Sequence, residues 1–211
     1  MRLYIPVLLG SRRIGRQSIG VARCLMGKLR ACANIRTELL DLAGYNVPLM
    51  DQRLQEMPDP PADVRELGDK LQQADGIVMV VPEYKNGYPG VLKNALDYLD
   101  AGHFRYKPIA ISTVSSGEFG GLNCLAQLRL VCLALGGVPI PASLPVSQVQ
   151  ATVDADGTVR EPRLAKKVEP FLRELLWYVE AMVTQRHKTT WMRLTTGACL
   201  KASTPAGDAT R

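Results

Sequence analysis

The run Ile77-Val78-Met79-Val80-Val81-Pro82 constrains the fold more than any other stretch, because it puts no polar residue on either face of an extended strand. A strand with one wet face alternates apolar and polar residues. One that does not alternate is buried on both faces, the situation of a parallel sheet covered by helices. Helically spaced apolar segments separate such runs, and the chain reads as strand 3–9, helix 18–32, strand 36–41, helix 61–74, strand 76–82, helix 89–100, strand 107–114, helix 120–136, strand 144–149 and helix 162–185.

Five βα units in succession, joined by right-handed crossovers, predict a doubly wound α/β fold with helices on both faces of a five-stranded parallel sheet. Five strands favour the flavodoxin-like order 2-1-3-4-5, whose switch point lies between strands 1 and 3. Ligands bind there, beyond the carboxyl ends of the strands, so the loops after strands 1, 3 and 4 converge on one crevice.

Those loops carry the chemistry. After strand 1 comes Gly10-Ser11-Arg12-Arg13-Ile14-Gly15-Arg16-Gln17-Ser18. Its glycines allow a tight path, its serines offer hydroxyls, Arg13 and Arg16 can fork onto phosphate oxygens, and a helix N-terminus adds oriented N–H groups. One phosphate monoester satisfies that set; a solvated basic turn with Ser18 as a plain N-cap is the other reading of this loop alone. After strand 3 comes Pro82-Glu83-Tyr84-Lys85-Asn86-Gly87-Tyr88-Pro89-Gly90, in which the prolines fix φ and the glycines permit close backbone approach, followed by a helix with the core stripe Leu92, Ala95, Leu96 and Leu99. The loop after strand 4, Thr113 to Gly121, is again rich in serine and glycine.

What is missing narrows the ligand. The first loop fails the Gly-x-Gly-x-x-Gly spacing of dinucleotide sites, and no Gly-Lys-Ser/Thr exists for a triphosphate. Asp41, at the end of strand 2, reads as a loop or capping residue rather than a ribose-binding acid. One phosphate and a flat polar heterocycle describe FMN. Cys24, Cys32, Cys124, Cys132 and Cys199 form no Cys-x-x-Cys pair and read as small buried residues in a reducing compartment. His103 and His187 are too few for a histidine metal site, and His103 reads as a helix cap. No Ser-His-Asp or Cys-His set suggests hydrolysis.

The net charge is +6, but residues 186–211 hold five basic side chains against Asp208, which leaves +2 for the remainder and no basic module for nucleic acid. The expected organisation is one domain over 1–185 followed by a basic, flexible tail over 186–211. No run approaches the roughly 20 apolar residues of a membrane span, so a cytoplasmic location is expected. The long connection from Ala43 to Pro60 reads as cover for a ligand or a partner subunit, or as surface filler. The segment from Gln150 to Pro162 reads as a hairpin-like turn away from the site.

Taken in order, Gly10-Ser11-x-Arg13-x-Gly15-Arg16-x-Ser18 and Pro82-Glu83-Tyr84-x-x-Gly87-Tyr88-Pro89-Gly90-x-Leu92-Lys93-Asn94-Ala95-Leu96-Asp97 resemble the NADPH-dependent FMN reductase family, which includes quinone, chromate and azo-dye reductases. The resemblance spans about residues 1–185. It implies non-covalent FMN, a homodimer or homotetramer, and ping-pong hydride transfer from NADPH or NADH through the flavin to a small acceptor such as a quinone, free flavin, azo compound or metal oxyanion. By that resemblance Ser11, Arg13, Arg16 and Ser18 hold the FMN phosphate. Pro82, Glu83, Tyr84, Asn86 and Gly87 line the isoalloxazine and ribityl chain, and Ser115, Ser116 and Gly117 occupy the third loop's position. Lys85 departs from the commoner asparagine after Glu-Tyr. No metal and no catalytic side chain is implied, since the flavin carries the chemistry. The same fold and cofactor also serve flavodoxin-type electron carriers and flavin-binding regulators. Such carriers are usually acidic with a hydroxyl-rich phosphate loop, whereas this chain is basic with two arginines there.

Overall fold

The computed structural model describes residues 2–186; the readings of His187, Cys199 and the basic tail lie outside the described residues. In chain order the elements are β1 (Leu3–Tyr4), β2 (Val7–Leu9), α1 (Ser18–Arg30), β3 (Ile35–Arg36), β4 (Leu39–Asp41), α2 (Ala62–Gln73), β5 (Ile77–Pro82), α3 (Gly90–Asp97), α4 (Ala101–Phe104), β6 (Pro108–Val114), α5 (Leu122–Ala134), β7 (Val138–Ser143), α6 (Val149–Thr152) and α7 (Pro162–Arg186). The sheet is parallel with order β4-β2-β5-β6-β7, the expected flavodoxin-like arrangement, and β1 pairs with β3 as a short extension.

Alternate residues of each central strand feed two cores. Val7, Leu9, Val78 and Val80 face Val21, Leu25 and Leu29 of α1 and Leu172, Leu175 and Val179 of α7. Leu8, Ile77, Met79 and Val81 face α2, α3 and α5 through Leu67, Leu71, Leu92, Leu96, Leu128 and Cys132. Burial on both sides is what made the strand sequences continuously apolar.

Two strand assignments differ from the sequence reading. The first strand is interrupted at Pro6, which has no N–H to give, although its carbonyl still accepts Val78 N–H at 3.0 Å. The fifth strand is not 144–149 but Val138–Ser143, a stretch whose Pro139 and Pro141 argue against a central strand. Its edge position resolves the conflict, since proline is tolerated where one side of the strand is unpaired. Side chains meet that open side: Glu174 accepts Ala142 N–H at 2.8 Å, and Arg129 donates to the Ile140 carbonyl at 2.8 Å. Leu144 to Val146 still follow β6, with Val146 N–H on the Thr113 carbonyl at 2.8 Å.

The helix expected over 89–100 breaks after Asp97, and Asp100 caps the separate turn α4 in a reciprocal capping box with His103. At the other end of the sheet Lys107 is buried, and its Nζ donates to the carbonyls of Leu71, Gln72 and His103 at 2.5, 2.6 and 2.8 Å. One ammonium thus closes the C-terminus of α2 and the last turn of α4.

Candidate functional site

The β2–α1 loop leaves the sheet beside the β5–α3 loop because β2 and β5 are paired neighbours. Gly10 N–H donates to the Val80 carbonyl at 3.0 Å, and a Cβ at Gly10 would come within 2.9 Å of Leu92 Cδ2, so only glycine lets the loop start this close to α3. Ser11 is fully buried and joins the two loops: its Oγ lies 2.8 Å from the Tyr84 hydroxyl and accepts Arg13 N–H at 3.3 Å. The Arg13 guanidinium lies over the Tyr84 ring at 5.7 Å, which adds a cation–π contact to the same junction.

At the start of α1 the cap position belongs to Gln17, whose side chain makes no capping bond, and the first turn holds no acidic residue. Ser18 therefore caps nothing. Its Oγ is buried without a hydrogen-bond partner, and so is Arg16 Nε. Buried polar atoms are nearly always paired, so two orphans beside an uncapped helix N-terminus mark a place for an oxygen-rich anion. Arg16 Nη2 is paired with Asp41 Oδ2 at 2.5 Å, and Asp41 also accepts Ala43 N–H at 3.0 Å, so Asp41 is the capping residue expected and an arginine partner besides.

The turn Tyr84-Lys85-Asn86-Gly87 closes on itself, with Tyr84 N–H to the Gly87 carbonyl at 2.8 Å and Gly87 N–H to the Tyr84 carbonyl at 3.2 Å. Lys85 and Asn86 sit at φ 52° and 63°, the all-positive pattern of a type I′ turn. Gln127 of α5 donates to the Asn86 carbonyl at 2.8 Å and pins the turn from behind. Glu83 faces α5 as well, its Oε2 accepting Cys124 N–H at 2.9 Å in place of the cap that Gly121 cannot supply. Gly121, at φ 81°, leaves room for this: a Cβ there would lie 3.2 Å from Glu83 Cβ. Burial, with Glu83 adding to it, pushes the Cys124 thiol up to about 12, so it is a packing group and not a nucleophile.

The third loop leaves β6, and Ser115 Oγ donates to the Gly117 carbonyl at 3.1 Å, which also accepts Gln148 N–H at 2.9 Å. Between the three loops lies a cleft of about 110 Å³ lined by Arg13, Arg16, Ser18, Pro82, Glu83, Tyr84, Ser115 and Ser116 among the residues singled out from sequence. Ser11, Asn86, Gly87 and Gly117 are not part of that lining: Ser11 is buried beneath it, and the other three belong to the flanking loops. Gln17, Val114, Val149 and Gln150 complete the lining and were not singled out. The last two belong to α6, ahead of the 153–159 hairpin; the segment expected to turn away from the site thus starts at the cleft with Gln150, and only its remainder forms the hairpin. Among the described residues no cluster of His, Cys, Asp and Glu suits a metal ion.

Comparison with known proteins identifies the family. A family model described as NADPH-dependent FMN reductase matches residues 3–151. A quinone reductase of Escherichia coli (strain K12) is 38% identical over 141 residues, 64% of this chain and 71% of that protein. An NADPH azoreductase of Bacillus sp. (strain OY1-2) is 32% identical over 148 residues, 70% of this chain and 77% of that protein. Among solved structures, the flavoenzyme FerB, an NAD(P)H:(acceptor) oxidoreductase from Paracoccus denitrificans, superimposes with a TM-score of 0.72 at 26% identity, covering 85% of this chain and 98% of that one.

Proposed function

This chain belongs to the NADPH-dependent FMN reductase family and is an NAD(P)H oxidoreductase working through FMN, and we propose that the three loops around the cleft hold that FMN and that a small quinone-like molecule is the acceptor. The observation that carries the site assignment is the uncapped N-terminus of α1 beside the orphaned Ser18 Oγ and Arg16 Nε. The phosphate of FMN is the group that satisfies all of them at once. When bound, FMN accepts hydride from the nicotinamide and passes reducing equivalents to the acceptor.

The chain's own residues bind and orient. Arg13 and Arg16 supply charge to the phosphate, and Ser18 and the first N–H groups of α1 supply short-range donors. Ser11 holds the Tyr84 hydroxyl and so locks the phosphate loop to the loop that would flank the ring. Pro82 and the rigid Tyr84–Gly87 turn present backbone rather than charge to the heterocycle, because the Glu83 carboxylate is already engaged by Cys124 N–H. Ser115 and Ser116 line the same cleft from the third loop, with Gly117 next to them in that loop. No side chain is asked to act as general acid or base. Nicotinamide and acceptor taking turns at the same cleft would give ping-pong kinetics.

Self-association belongs to the same reading. Helix α5 exposes a patch of leucines beside its polar Asn123 and Gln127: Leu130 and Leu133 are 69% and 59% exposed, and Leu122 joins them. Large apolar side chains grouped on an exposed helix face favour burial against another copy, which supports a homodimer or homotetramer built on this face. Leu130→Glu is expected to halve or quarter the mass measured by light scattering. A cytoplasmic location fits the free thiols of Cys24, Cys32, Cys124 and Cys132. No helix among the described residues is long and apolar enough to cross a membrane.

Purified protein is expected to be yellow, to release FMN on denaturation, and to be bleached anaerobically by NADPH faster than by NADH, with a quinone restoring the colour. Absence of bleaching would favour an electron carrier. The Arg13→Ala variant is expected to fold and to lose flavin; full FMN affinity in that variant refutes the phosphate assignment.

A further inference from the structure

We propose that Asp41 is a positioning residue for the phosphate subsite, holding the Arg16 guanidinium in place before any ligand arrives. This rests on the FMN reading above. Asp41 ends β4, the strand paired with β2, so its carboxylate reaches sideways to the loop that leaves β2. Its Oδ2 takes Arg16 Nη2 at 2.5 Å, while its Oδ1 accepts Ala43 N–H at 3.0 Å and starts the 3-10 turn Leu42–Gly44. Backbone thus fixes the carboxylate, and the carboxylate fixes the guanidinium. The two side chains are only 18% and 26% exposed. Arg16 Nη1 also reaches the Arg13 carbonyl at 3.5 Å, while Nε stays buried without a partner in a side chain that lines the cleft beside Ser18.

Two effects of opposite sign meet here. A carboxylate near a phosphate repels it, so if charge were the whole story, removing Asp41 would tighten binding. An arginine already immobilised loses little side-chain freedom when it captures a phosphate, and that saving corresponds to about tenfold in affinity. The Asp41 charge is neutralised by Arg16 and solvated by a backbone N–H, which leaves positioning as the larger effect.

The test is a double-mutant cycle read with two ligands. Asp41→Asn keeps an oxygen for Ala43 N–H and removes the ionic hold; Asp41→Ser, which also caps, replaces it should the asparagine variant not fold. Flavin fluorescence quenching gives the Kd of FMN and of riboflavin, which lacks the phosphate, for the wild type, D41N, R16A and the double variant. D41N is expected to weaken FMN about tenfold, to leave riboflavin within twofold, and to add nothing in the R16A background. Unchanged or tighter FMN binding in D41N, an equal loss for riboflavin, or a full loss persisting without Arg16 each overturns the proposal. Failure of the underlying reading shows differently, as no saturable uptake of FMN by the wild type.

Discussion

Replacing Lys85 with glycine is expected to stabilise the protein by about 0.5–1 kcal/mol at the very loop assigned to the flavin. Lys85 occupies the first central position of the Tyr84–Gly87 turn at φ 52°, with Asn86 following at φ 63°. Asparagine tolerates the left-handed region, but for a lysine that conformation costs roughly 1–2 kcal/mol through the crowding of Cβ on its own carbonyl. Glycine removes that cost and returns about 0.5–1 kcal/mol as extra entropy of the unfolded chain, which sets the net gain. The turn is held in its shape by the paired bonds of Tyr84 and Gly87 and by Gln127 on the Asn86 carbonyl, so it cannot relax to spare Lys85. Urea unfolding with an unchanged m-value measures the gain directly, and the midpoint of thermal unfolding is expected to rise by roughly 1–4 °C. Lys85→Asn is expected to gain a similar amount without the entropy term. Because the side chain is exposed and the turn backbone is unaltered, FMN affinity is expected to stay within threefold. If both variants lose stability, the strain argument fails; if stability rises but FMN binding falls tenfold, the lysine itself contacts the ligand.

Other sites give independent checks. Burial, with Arg186 adding to it and Asp75 opposing, pulls Lys107 down to about 8. An unfolded lysine titrates near 10.4, so between those values the unfolded chain binds more protons and this group's contribution to stability rises with pH, by about 2 kcal/mol from pH 7 to 9.5. Lys107→Met is expected to lack that rise, and parallel pH curves for the two proteins would disprove it. Glu83→Ala leaves the Cys124 N–H at the start of α5 without its acceptor and is expected to cost about 1 kcal/mol, with faster hydrogen exchange at that amide and slower exchange refuting the capping role. Gly20→Ala places a Cβ 2.2 Å from the Asp154 carbonyl oxygen in the 153–159 hairpin and is expected to cost about 2 kcal/mol in denaturant unfolding. A neutral result there would mean that the hairpin yields freely to α1.

The apolar runs, the helical stripes between them and the placement of prolines and glycines in two loops were enough to read the sheet and its order. Each of these is a property of a few adjacent residues: burial on both faces removes polar positions from a strand, and φ restrictions mark where a loop turns. Partner choice between distant segments is another matter. That Ser18 caps nothing, that the Glu83 carboxylate caps α5 from the cleft wall, that Asp41 grips Arg16, and that Val149 and Gln150 line the cleft all follow from strand pairing and helix packing. No local pattern encodes them. The misplaced fifth strand has the same origin: prolines at 139 and 141 argue against a strand until the fold puts that strand at an edge, with Arg129 and Glu174 to meet its open side.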